Sequence, residues 1–296
     1  MLARVHVIVG LVVFLTPLFA RADDMIHGNL KVGGVDRTYL VHLPSGPRAA
    51  EPKPLVIAFH GAGETAELMA EVTDLNRWSD NTGFIVAYPQ GLERHWQTGS
   101  PLSNDYVFAA NLIADLEKKY PIDRTRIIAA GMSNGAEFAQ ELGCRKESRF
   151  IAVVAVSATL QKNSMNNCAP SHSLHIVTFH GSDDPIVPYG GGRVRAPNGP
   201  ILVSVPNNLL AWAHLNGCSP APKSIRLPDN LEDGTHIDRI SFANCSPGSE
   251  VTHYRIIGGG HTWPGDRDGP EKFGRTTHQL SASKIIAGIT VAGSTK

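Results

Sequence analysis

Apolar runs rich in Val, Ile, Ala and Phe recur along the whole chain. Several of them are almost continuous, which is typical of strands in a parallel sheet that is covered on both faces. Together they predict strands at 39–43, 55–60, 84–88, 127–130, 151–156, 174–179 and 251–257.

Helical patterns lie between these runs. The clearest spans 105–120, stops at Pro121 and carries an apolar stripe at three-four spacing, formed by Val107, Leu112, Ile113 and Leu116. Further helices are predicted directly after Ser133, at 207–216 and at 281–289, whereas the Pro- and Gly-rich stretch 185–206 reads as one long loop. The alternation predicts an α/β fold with a doubly wound, mostly parallel sheet and helices on both faces.

Residues 1–22 have the pattern of an export signal. Arg4 supplies a positive charge, 7–19 is apolar, and 20–22 (Ala-Arg-Ala) has the small-x-small pattern that signal peptidase cuts after. A membrane-spanning helix needs about 20 apolar residues, and this run is shorter and contains Pro17, so a retained anchor is disfavoured. We therefore expect a single mature domain at 23–296, secreted or periplasmic, with no membrane partner after cleavage.

The composition is that of a globular protein. Of 296 residues, 42% are hydrophobic and 18% are charged, which supports a substantial core and excludes a disordered or collagen-like chain. Lys plus Arg and Asp plus Glu both number 27, so the net charge is zero. The chain therefore lacks the excess of basic residues that binding to nucleic acid or to an acidic membrane surface requires, and neither is expected as a partner.

The four cysteines all follow the predicted leader: Cys144, Cys168, Cys218 and Cys245. An even number in an exported chain indicates disulfides, and four thiols allow three connectivities. Pairing between sequence neighbours, Cys144 with Cys168 and Cys218 with Cys245, is favoured because short loops need little chain rearrangement. Zinc binding is the other interpretation, but no Cys-x-x-Cys pair occurs.

The segment 127–136 reads as a strand, then Gly-x-Ser-x-Gly around Ser133, then a helix. The glycines let the backbone pass close by at a sharp turn, which pushes the serine hydroxyl out over the sheet edge. The pattern alone is weak evidence, but the flanking strand and helix are the context that a nucleophile elbow requires. Ser133 is therefore the predicted nucleophile.

A serine hydroxyl needs a base to remove its proton and a carboxylate to orient that base. On a doubly wound sheet with this elbow, an Asp or Glu follows the Ser in the chain and a His follows the acid, each just beyond a strand. Here Asp183 and Asp184 follow strand 174–179, and His261 follows strand 251–257 among glycines. His261 is the predicted base. One of the two aspartates orients it while the other braces the turn, and Asp184 is favoured.

The alkoxide that forms on attack needs preorganised hydrogen-bond donors. One predicted donor is the amide after the nucleophile, that of Asn134. The second is expected in the loop after an earlier strand, at 60–63 (His-Gly-Ala-Gly), where the Ala62 amide is favoured.

Two tryptophans adjoin these segments. Trp96 lies in 95–99, and Trp263 lies two residues after the predicted base. They form either an apolar cleft for an acyl or aromatic group or part of the core. Asp105 is interpreted as a helix N-terminal residue, which favours the helix dipole, and is left out of the catalytic set.

Other chemistries lack their motifs. The chain has no Gly-x-Gly-x-x-Gly, no Gly-Lys-Ser/Thr and no His-Glu-x-x-His, and Asp266 with Asp268 lacks EF-hand spacing. No cofactor and no metal are predicted.

Taken together, these segments resemble the polyhydroxybutyrate depolymerase and feruloyl esterase-like group of secreted α/β-hydrolases, which overlaps the carbohydrate esterases. The motifs that carry the resemblance are 60–63, 88–91, 131–135, 180–189 and 259–265, and it covers the chain from about Gly28 to the last helix. In relatives the acid lies three residues after the Gly of the His-Gly pair, which selects Asp184 over Asp183. The cysteine placement also resembles that of the family.

The chain departs from the family pattern in two loops. It has Trp-Gln-Thr-Gly at 96–99 where many relatives have Trp-Asn-x-Gly, and Asp-Tyr-Val-Phe at 105–108 where they have Asp-Val-Gly-Phe. Such loops tune the substrate cleft. The chain ends at its hydrolase helix without a polymer-binding module, so we expect action on soluble or oligomeric esters.

The expected function is that of a secreted or periplasmic serine esterase with an acyl-enzyme mechanism. Its substrates are expected to be small or oligomeric esters, either polyhydroxyalkanoate-type oligomers or feruloyl and acetyl esters. Two alternatives stay open: a thioesterase or peptidase with the same triad, and a non-catalytic binding protein on the hydrolase fold.

Overall fold

A large, mostly parallel sheet runs through the protein. The computed structural model describes residues 25–45, 51–265 and 267–292. In chain order the strands of this part are β1 (Ile26–Val32), β2 (Val35–His42), β3 (Lys53–Phe59), β4 (Ile85–Pro89), β5 (Ile122–Met132), β6 (Ala152–Val156), β7 (His175–Gly181), β8 (Gly192–Arg193), β9 (Ile201–Leu202), β10 (Lys223–Arg226), β11 (His236–Ser241) and β12 (Glu250–Ile257). Ten of them form one sheet, in the order β1-β2-β4-β3-β5-β6-β7-β12-β11-β10, and β8 pairs with β9.

The centre of the sheet is parallel. Strands β4, β3, β5, β6, β7 and β12 run in one direction, whereas β1 and β2 at one edge and β11 and β10 at the other are antiparallel to their neighbours. The carboxyl ends of the parallel strands therefore lie along one edge of the sheet, where doubly wound folds place their ligand sites.

Helices cover both faces of the sheet. In the described residues they are α1 (Ala66–Thr73), α2 (Leu75–Thr82), α3 (Asn104–Lys119), α4 (Asn134–Cys144), α5 (Lys162–Asn166), α6 (Val205–Leu215) and α7 (Ala282–Ala292). Apolar side chains of α3, α4 and α6 pack in one cluster and those of α1, α2 and α7 in a second. Ile127 of β5 belongs to the first cluster and Ile128 to the second, because neighbouring strand residues face opposite sides. The predicted doubly wound α/β fold is confirmed.

The seven predicted strands are confirmed as β2 to β7 and β12. The unpredicted strands β1, β10 and β11 lie at or next to the sheet edges, where most side chains are at least partly exposed. The turn between β1 and β2 consists of Gly33 and Gly34, both at positive φ (57° and 85°), as a two-residue hairpin requires.

The stretch 185–206 is not one loop, so this prediction is wrong. It contains β8 and β9, and α6 begins at Val205 instead of at the predicted residue 207. Ser204 Oγ accepts a hydrogen bond from the Asn207 amide (3.3 Å), as an N-cap residue does. Pro206 lies in the first helical turn, where backbone N–H groups have no acceptor within the helix, so its missing N–H removes no hydrogen bond. The proline therefore marks the start of a helix.

Two disulfides link Cys144 with Cys168 and Cys218 with Cys245, which is the pairing favoured from sequence order. The first joins the end of α4 to the segment after α5, and the second joins the segment after α6 to the one after β11. In the described part of the chain, no helix combines the length and the apolar character needed to cross a membrane. The predicted leader at 1–22 lies outside the described residues.

Candidate active site

Ser133 lies at the turn between the central strand β5 and helix α4. Its backbone has φ 53° and ψ −123°, a conformation that costs a non-glycine residue about 1–3 kcal/mol. The turn is held from both sides: the Ser133 amide donates to Val156 O (2.8 Å), and the amides of Ala136 and Glu137 donate to Ser133 O (2.9 and 3.1 Å). This geometry is that of a nucleophile elbow.

The two glycines of the motif are required by close backbone approaches. A Cβ on Gly131 would lie 2.2 Å from Gly135 O, and a Cβ on Gly135 would lie 2.2 Å from Phe59 O. Both distances are far below a van der Waals contact. Gly135 thus allows α4 to start directly against the end of β3.

His261 follows β12 and meets Asp184, which follows β7. Its Nδ1 lies 2.8 Å from Asp184 Oδ2, and both residues are buried. Asp184 Oδ1 accepts hydrogen bonds from the amides of Ile186 and Val187, each at 2.8 Å. These donors hold the carboxyl group in place, and its second oxygen fixes the imidazole with its proton on Nδ1, which leaves Nε2 as the acceptor.

Asp183 does not meet His261. Its side chain is exposed and accepts a hydrogen bond from the Ser182 hydroxyl (2.7 Å). Of the two candidate acids, Asp184 is the one that contacts the predicted base, as the family resemblance implied.

The glycine run before His261 permits the same kind of close packing. A Cβ on Gly260 would lie 2.1 Å from Phe273 O, and one on Gly181 would lie 2.2 Å from Gly259 O. The His261 amide donates to Phe273 O (2.6 Å), which fixes the loop that carries the imidazole.

A second buried histidine, His180, braces the acid turn. Its Nε2 donates to Val187 O (2.8 Å) and lies 3.5 Å from Asp184 Oδ2. Burial lowers the pKa of His180, so the ring is neutral at pH 7. The sequence motif 180–189 did not predict this role of His180.

A cavity of about 950 Å³ opens over the carboxyl end of the sheet. Ser133, Asn134, Ala62, His261 and Trp263 all line it, so the structure brings these predicted site residues together, and Asp184 lies beneath His261 outside the lining. Much of the lining is apolar, including Leu68, Val72, Ile186, Val194, Leu202 and Phe273, and a polar part contains Thr98, Glu137 and Gln161.

The two predicted oxyanion amides are free. Within the described residues, no backbone or side-chain acceptor takes a hydrogen bond from the amide of Ala62 or of Asn134. The neighbouring amides are used: Gly61 N donates to Glu64 Oε2 and Gly63 N donates to Arg94 O, both at 2.8 Å. These bonds shape the loop around the Ala62 amide.

His60 supports this loop from below. The Gly91 amide donates to His60 Nε2 (3.0 Å), so the proton is on Nδ1, which donates to Gly61 O (2.7 Å). Burial lowers the pKa of His60 and keeps this neutral form at pH 7. Its role depends on contacts with Gly91, 31 residues away, which no local motif reveals.

Trp96 does not line the cavity, and its placement favours packing, one of the two alternatives open from the sequence. Its side chain is 0% exposed and stacks on Phe138 with ring centroids 5.1 Å apart. Its Nε1 donates to His60 O (3.0 Å). Trp263, by contrast, lies in the lining, although its indole is mostly buried and its Nε1 donates to Ser283 Oγ (3.0 Å).

Asp105 is more than a helix N-terminal residue. It forms a buried ion pair with Arg37 (2.7 Å), and its Oδ2 accepts a hydrogen bond from the Gln97 amide (2.8 Å). Arg37 also lies over the Phe108 ring, 4.1 Å from its centroid. Asp105 therefore anchors the segment that follows Trp96. In the described residues, no group of three or more His, Cys, Asp or Glu side chains is arranged to hold a metal ion.

The chain matches the family model described as "Esterase PHB depolymerase" over residues 37–186, just over half of its length. The chain belongs to the esterase PHB depolymerase family. The predicted family is thereby confirmed, and the protein is an esterase, a carboxylic ester hydrolase.

Individual relatives share 30% sequence identity or less with the chain in the two comparisons that follow. Feruloyl esterase B of Piromyces equi is 30% identical over 235 residues, which are 76% of this chain and 42% of that protein, so the match spans less than half of this relative. The structure of an acetyl xylan esterase from Aspergillus awamori superimposes with a TM-score of 0.54 at 15% identity, covering 80% of this chain and 94% of that one. This likeness shows the α/β-hydrolase fold.

Proposed function

We propose that this esterase uses Ser133 as nucleophile, His261 as general base and acid, and Asp184 as the orienting carboxylate. The observation that carries the proposal is the 2.8 Å contact between His261 Nδ1 and Asp184 Oδ2, directly beneath a cavity that Ser133 and His261 both line. The strained turn at Ser133 supports it, because strain of this kind concentrates at functional sites.

In this mechanism His261 Nε2 takes the Ser133 proton as Oγ attacks the ester carbonyl. The tetrahedral intermediate collapses when the imidazolium gives that proton to the leaving alkoxide, and an acyl-enzyme and an alcohol result. Water then attacks the acyl carbonyl with His261 again as base, and the carboxylic acid leaves as Ser133 regains its proton. Asp184 stabilises the imidazolium in both halves of the reaction.

The amides of Ala62 and Asn134 are proposed to hold the oxyanion. Their freedom from other acceptors and their place in the cavity lining support this assignment. Each such donor is worth about 3 kcal/mol of barrier in enzymes with this mechanism. Both donors are backbone N–H groups, so no side-chain substitution removes them. Their role can instead be tested by substituting the side chains that hold these two segments in place.

The substrate is proposed to be a small or oligomeric ester, with a feruloyl, acetyl or hydroxyalkanoyl acyl group. A cavity of about 950 Å³ holds a drug-sized molecule, and its combination of apolar walls with few polar groups suits such acyl chains. The feruloyl and acetyl xylan esterase relatives favour the first two acyl groups.

We further propose that residues 1–22 are an export signal and that 23–296 is a single secreted or periplasmic domain. The two disulfides support an oxidising compartment, where such bonds persist. Expression of the whole chain in a bacterial host tests this. A periplasmic or extracellular product whose N-terminal residue is Asp23 is expected, and an uncleaved product in the cytoplasmic fraction contradicts it.

The test of the mechanism is the Ser133→Ala variant of the mature protein. It is expected to lose hydrolysis of acetyl, feruloyl and 3-hydroxybutyrate oligomer esters and to lose labelling by a fluorophosphonate probe. Matched thioester and amide substrates distinguish an esterase from the other hydrolases with this triad. Unchanged ester hydrolysis by Ser133→Ala rules the mechanism out.

A further inference from the structure

Glu137 is an ionisable residue of the cavity that the proposed mechanism does not use. It lies one helical turn after Ser133 on α4, and its amide donates to Ser133 O (3.1 Å). The residue is 2% exposed, yet its side chain belongs to the cavity lining. The backbones of Glu137 and the predicted nucleophile are therefore about 6 Å apart along the helix axis, and both residues face the same cavity.

Two uncharged side chains surround this carboxyl group. Gln161 Nε2 donates to Glu137 Oε1 (2.8 Å) and lies 3.3 Å from Thr98 Oγ1, and both residues also line the cavity. No cation pairs with Glu137 among the described residues. The group is thus buried without the countercharge that an ionised carboxylate requires.

The next buried carboxyl on the same helix, that of Glu141, is in the opposite situation. It accepts hydrogen bonds from the Gly99 amide (2.8 Å), from the Tyr106 hydroxyl (2.6 Å) and from the Ser164 hydroxyl. Two neighbouring carboxyls in a low dielectric do not both ionise easily, and a buried carboxyl with few hydrogen-bond donors favours its protonated form. This arrangement leaves the proton on Glu137.

We propose that the protonated carboxyl of Glu137 donates a hydrogen bond to an uncharged oxygen of the bound ester, in a polar subsite completed by Thr98 and Gln161. Glu137 is then a specificity-determining residue that favours oxygen-bearing esters over their hydrocarbon counterparts. The inference rests on the proposed function, because it assigns the substrate preference of the same cavity. The oxygen belongs either to the acyl group or to the alcohol.

The proton on Glu137 persists at neutral pH. Burial, followed by the charge of Glu141, raises the pKa of Glu137 to about 8, and the hydrogen bonds from Gln161 and Thr98 act against this shift. Other titratable groups nearby are Tyr106 of α3, which bonds Glu141, and Glu64 and His261 in the cavity lining. Above this pKa the ionised group has no proton to donate, so the preference for the oxygenated ester is lost.

The test compares kcat/KM for matched esters that differ by one oxygen. Methyl 3-hydroxybutyrate with methyl butyrate and methyl 4-hydroxycinnamate with methyl cinnamate probe the acyl side. The pair 2-methoxyethyl acetate and butyl acetate probes the alcohol side. We expect at least one pair to show about a tenfold preference for the oxygenated ester at pH 6.5. The ratio of the two kcat/KM values removes every pH effect that the two esters share, because both need the same base.

Three variants separate donation by Glu137 from a structural role. In the native protein the preference should fall with a midpoint near pH 8. Glu137→Gln, whose amide donates at every pH, should keep the preference without that midpoint, and Glu137→Leu should lose it at every pH. Glu141→Gln removes the like charge and should move the midpoint to lower pH. If Glu137→Leu does not fold, the pH profile of Glu137→Gln decides.

The proposal is overturned when no pair shows a preference in the native protein, or when the preference does not change with pH. It is also overturned when Glu137→Gln retains the native midpoint. Each result is distinct from failure of the proposed function, which appears as ester hydrolysis that survives Ser133→Ala.

Discussion

The side-chain amide of Asn134 pairs with the backbone of Trp96 in both directions. Trp96 N donates to Asn134 Oδ1 (2.7 Å), and Asn134 Nδ2 donates to Trp96 O (3.0 Å). The Trp96 indole in turn donates to His60 O (3.0 Å), at the start of the loop that carries Ala62. The two segments whose amides are proposed to hold the oxyanion are therefore joined through one residue, although they are distant in the chain.

Asn134→Ala should weaken both the protein and its catalysis. The substitution keeps the Asn134 amide but leaves two backbone groups of Trp96 without partners, which costs about 1–3 kcal/mol in the free energy of unfolding. Because the oxyanion donors are positioned through this pair, kcat should fall about tenfold or more. Chemical denaturation and ester kinetics measure the two effects. Asn167→Ala, which removes an exposed amide bonded within its own helix turn, is the control and should change neither. An unchanged denaturation midpoint for Asn134→Ala contradicts the role.

Asp184→Asn should reduce kcat by about 10³ to 10⁴ with little change in KM. The amide keeps an oxygen for Ile186 and Val187, but it no longer selects the imidazole form with the proton on Nδ1 and no longer stabilises the imidazolium. Asp183→Asn is the matched control, because its side chain is exposed and bonded to Ser182. It should stay within about twofold of the native rate. Equal losses in the two variants would refute the assignment of the acid.

The central sheet and the candidate triad were accessible from the sequence for one physical reason. Strands buried on both faces must be apolar throughout, and a backbone that passes within van der Waals distance of another backbone must be glycine. Both constraints leave local signals, as Ile127 to Ala130 and Gly131 show. Edge strands such as β10 obey neither constraint and were missed.

The supporting residues of the site were not accessible in the same way. His60 bonds Gly91, Asn134 bonds Trp96, and Asp105 bonds Arg37, so every partner is tens of residues away in the chain. Their residue types carry no spacing rule. Glu137 was missed for the same reason. The sequence identifies it only as a residue of helix α4, and its burial depends on segments that are distant in the chain.

Gly135→Ala should destabilise the protein strongly. The new Cβ would meet the carbonyl oxygens of Phe59 and His60 at 2.2 and 2.5 Å, so α4 would have to move away from β3 and shift Ser133 with it. We expect a loss of several kcal/mol in the free energy of unfolding, on the order of 3 or more, together with loss of activity. Gly288→Ala is the control: nothing lies within 4 Å of its Cβ in α7, and the gain in helix propensity should stabilise by up to about 1 kcal/mol. Thermal unfolding of both variants decides, and equal melting temperatures contradict the steric argument.

Stability should fall in mild acid because three histidines are buried in their neutral form. Burial lowers the pKa of His253 to about 3, and burial also lowers the pKa values of His60 and His180. The unfolded chain binds protons on these groups below about pH 6.5 while the native state does not, so the free energy of unfolding decreases as the pH falls from there.

For His253 alone the loss between pH 6.5 and 4.5 should be about 2 kcal/mol. One pH unit corresponds to about 1.4 kcal/mol per proton, and the unfolded imidazole is only half protonated at about pH 6.5. Denaturant titrations at several pH values measure it. His253→Gln retains a polar partner for the Thr178 hydroxyl and the Tyr189 hydroxyl. It should reduce the slope of the free energy of unfolding against pH by the contribution of about one proton. Replacing the exposed His172 by Gln should leave the slope unchanged. The prediction is contradicted when the free energy of unfolding of the native protein stays constant between these pH values, because buried histidines would then gain protons at no cost in stability.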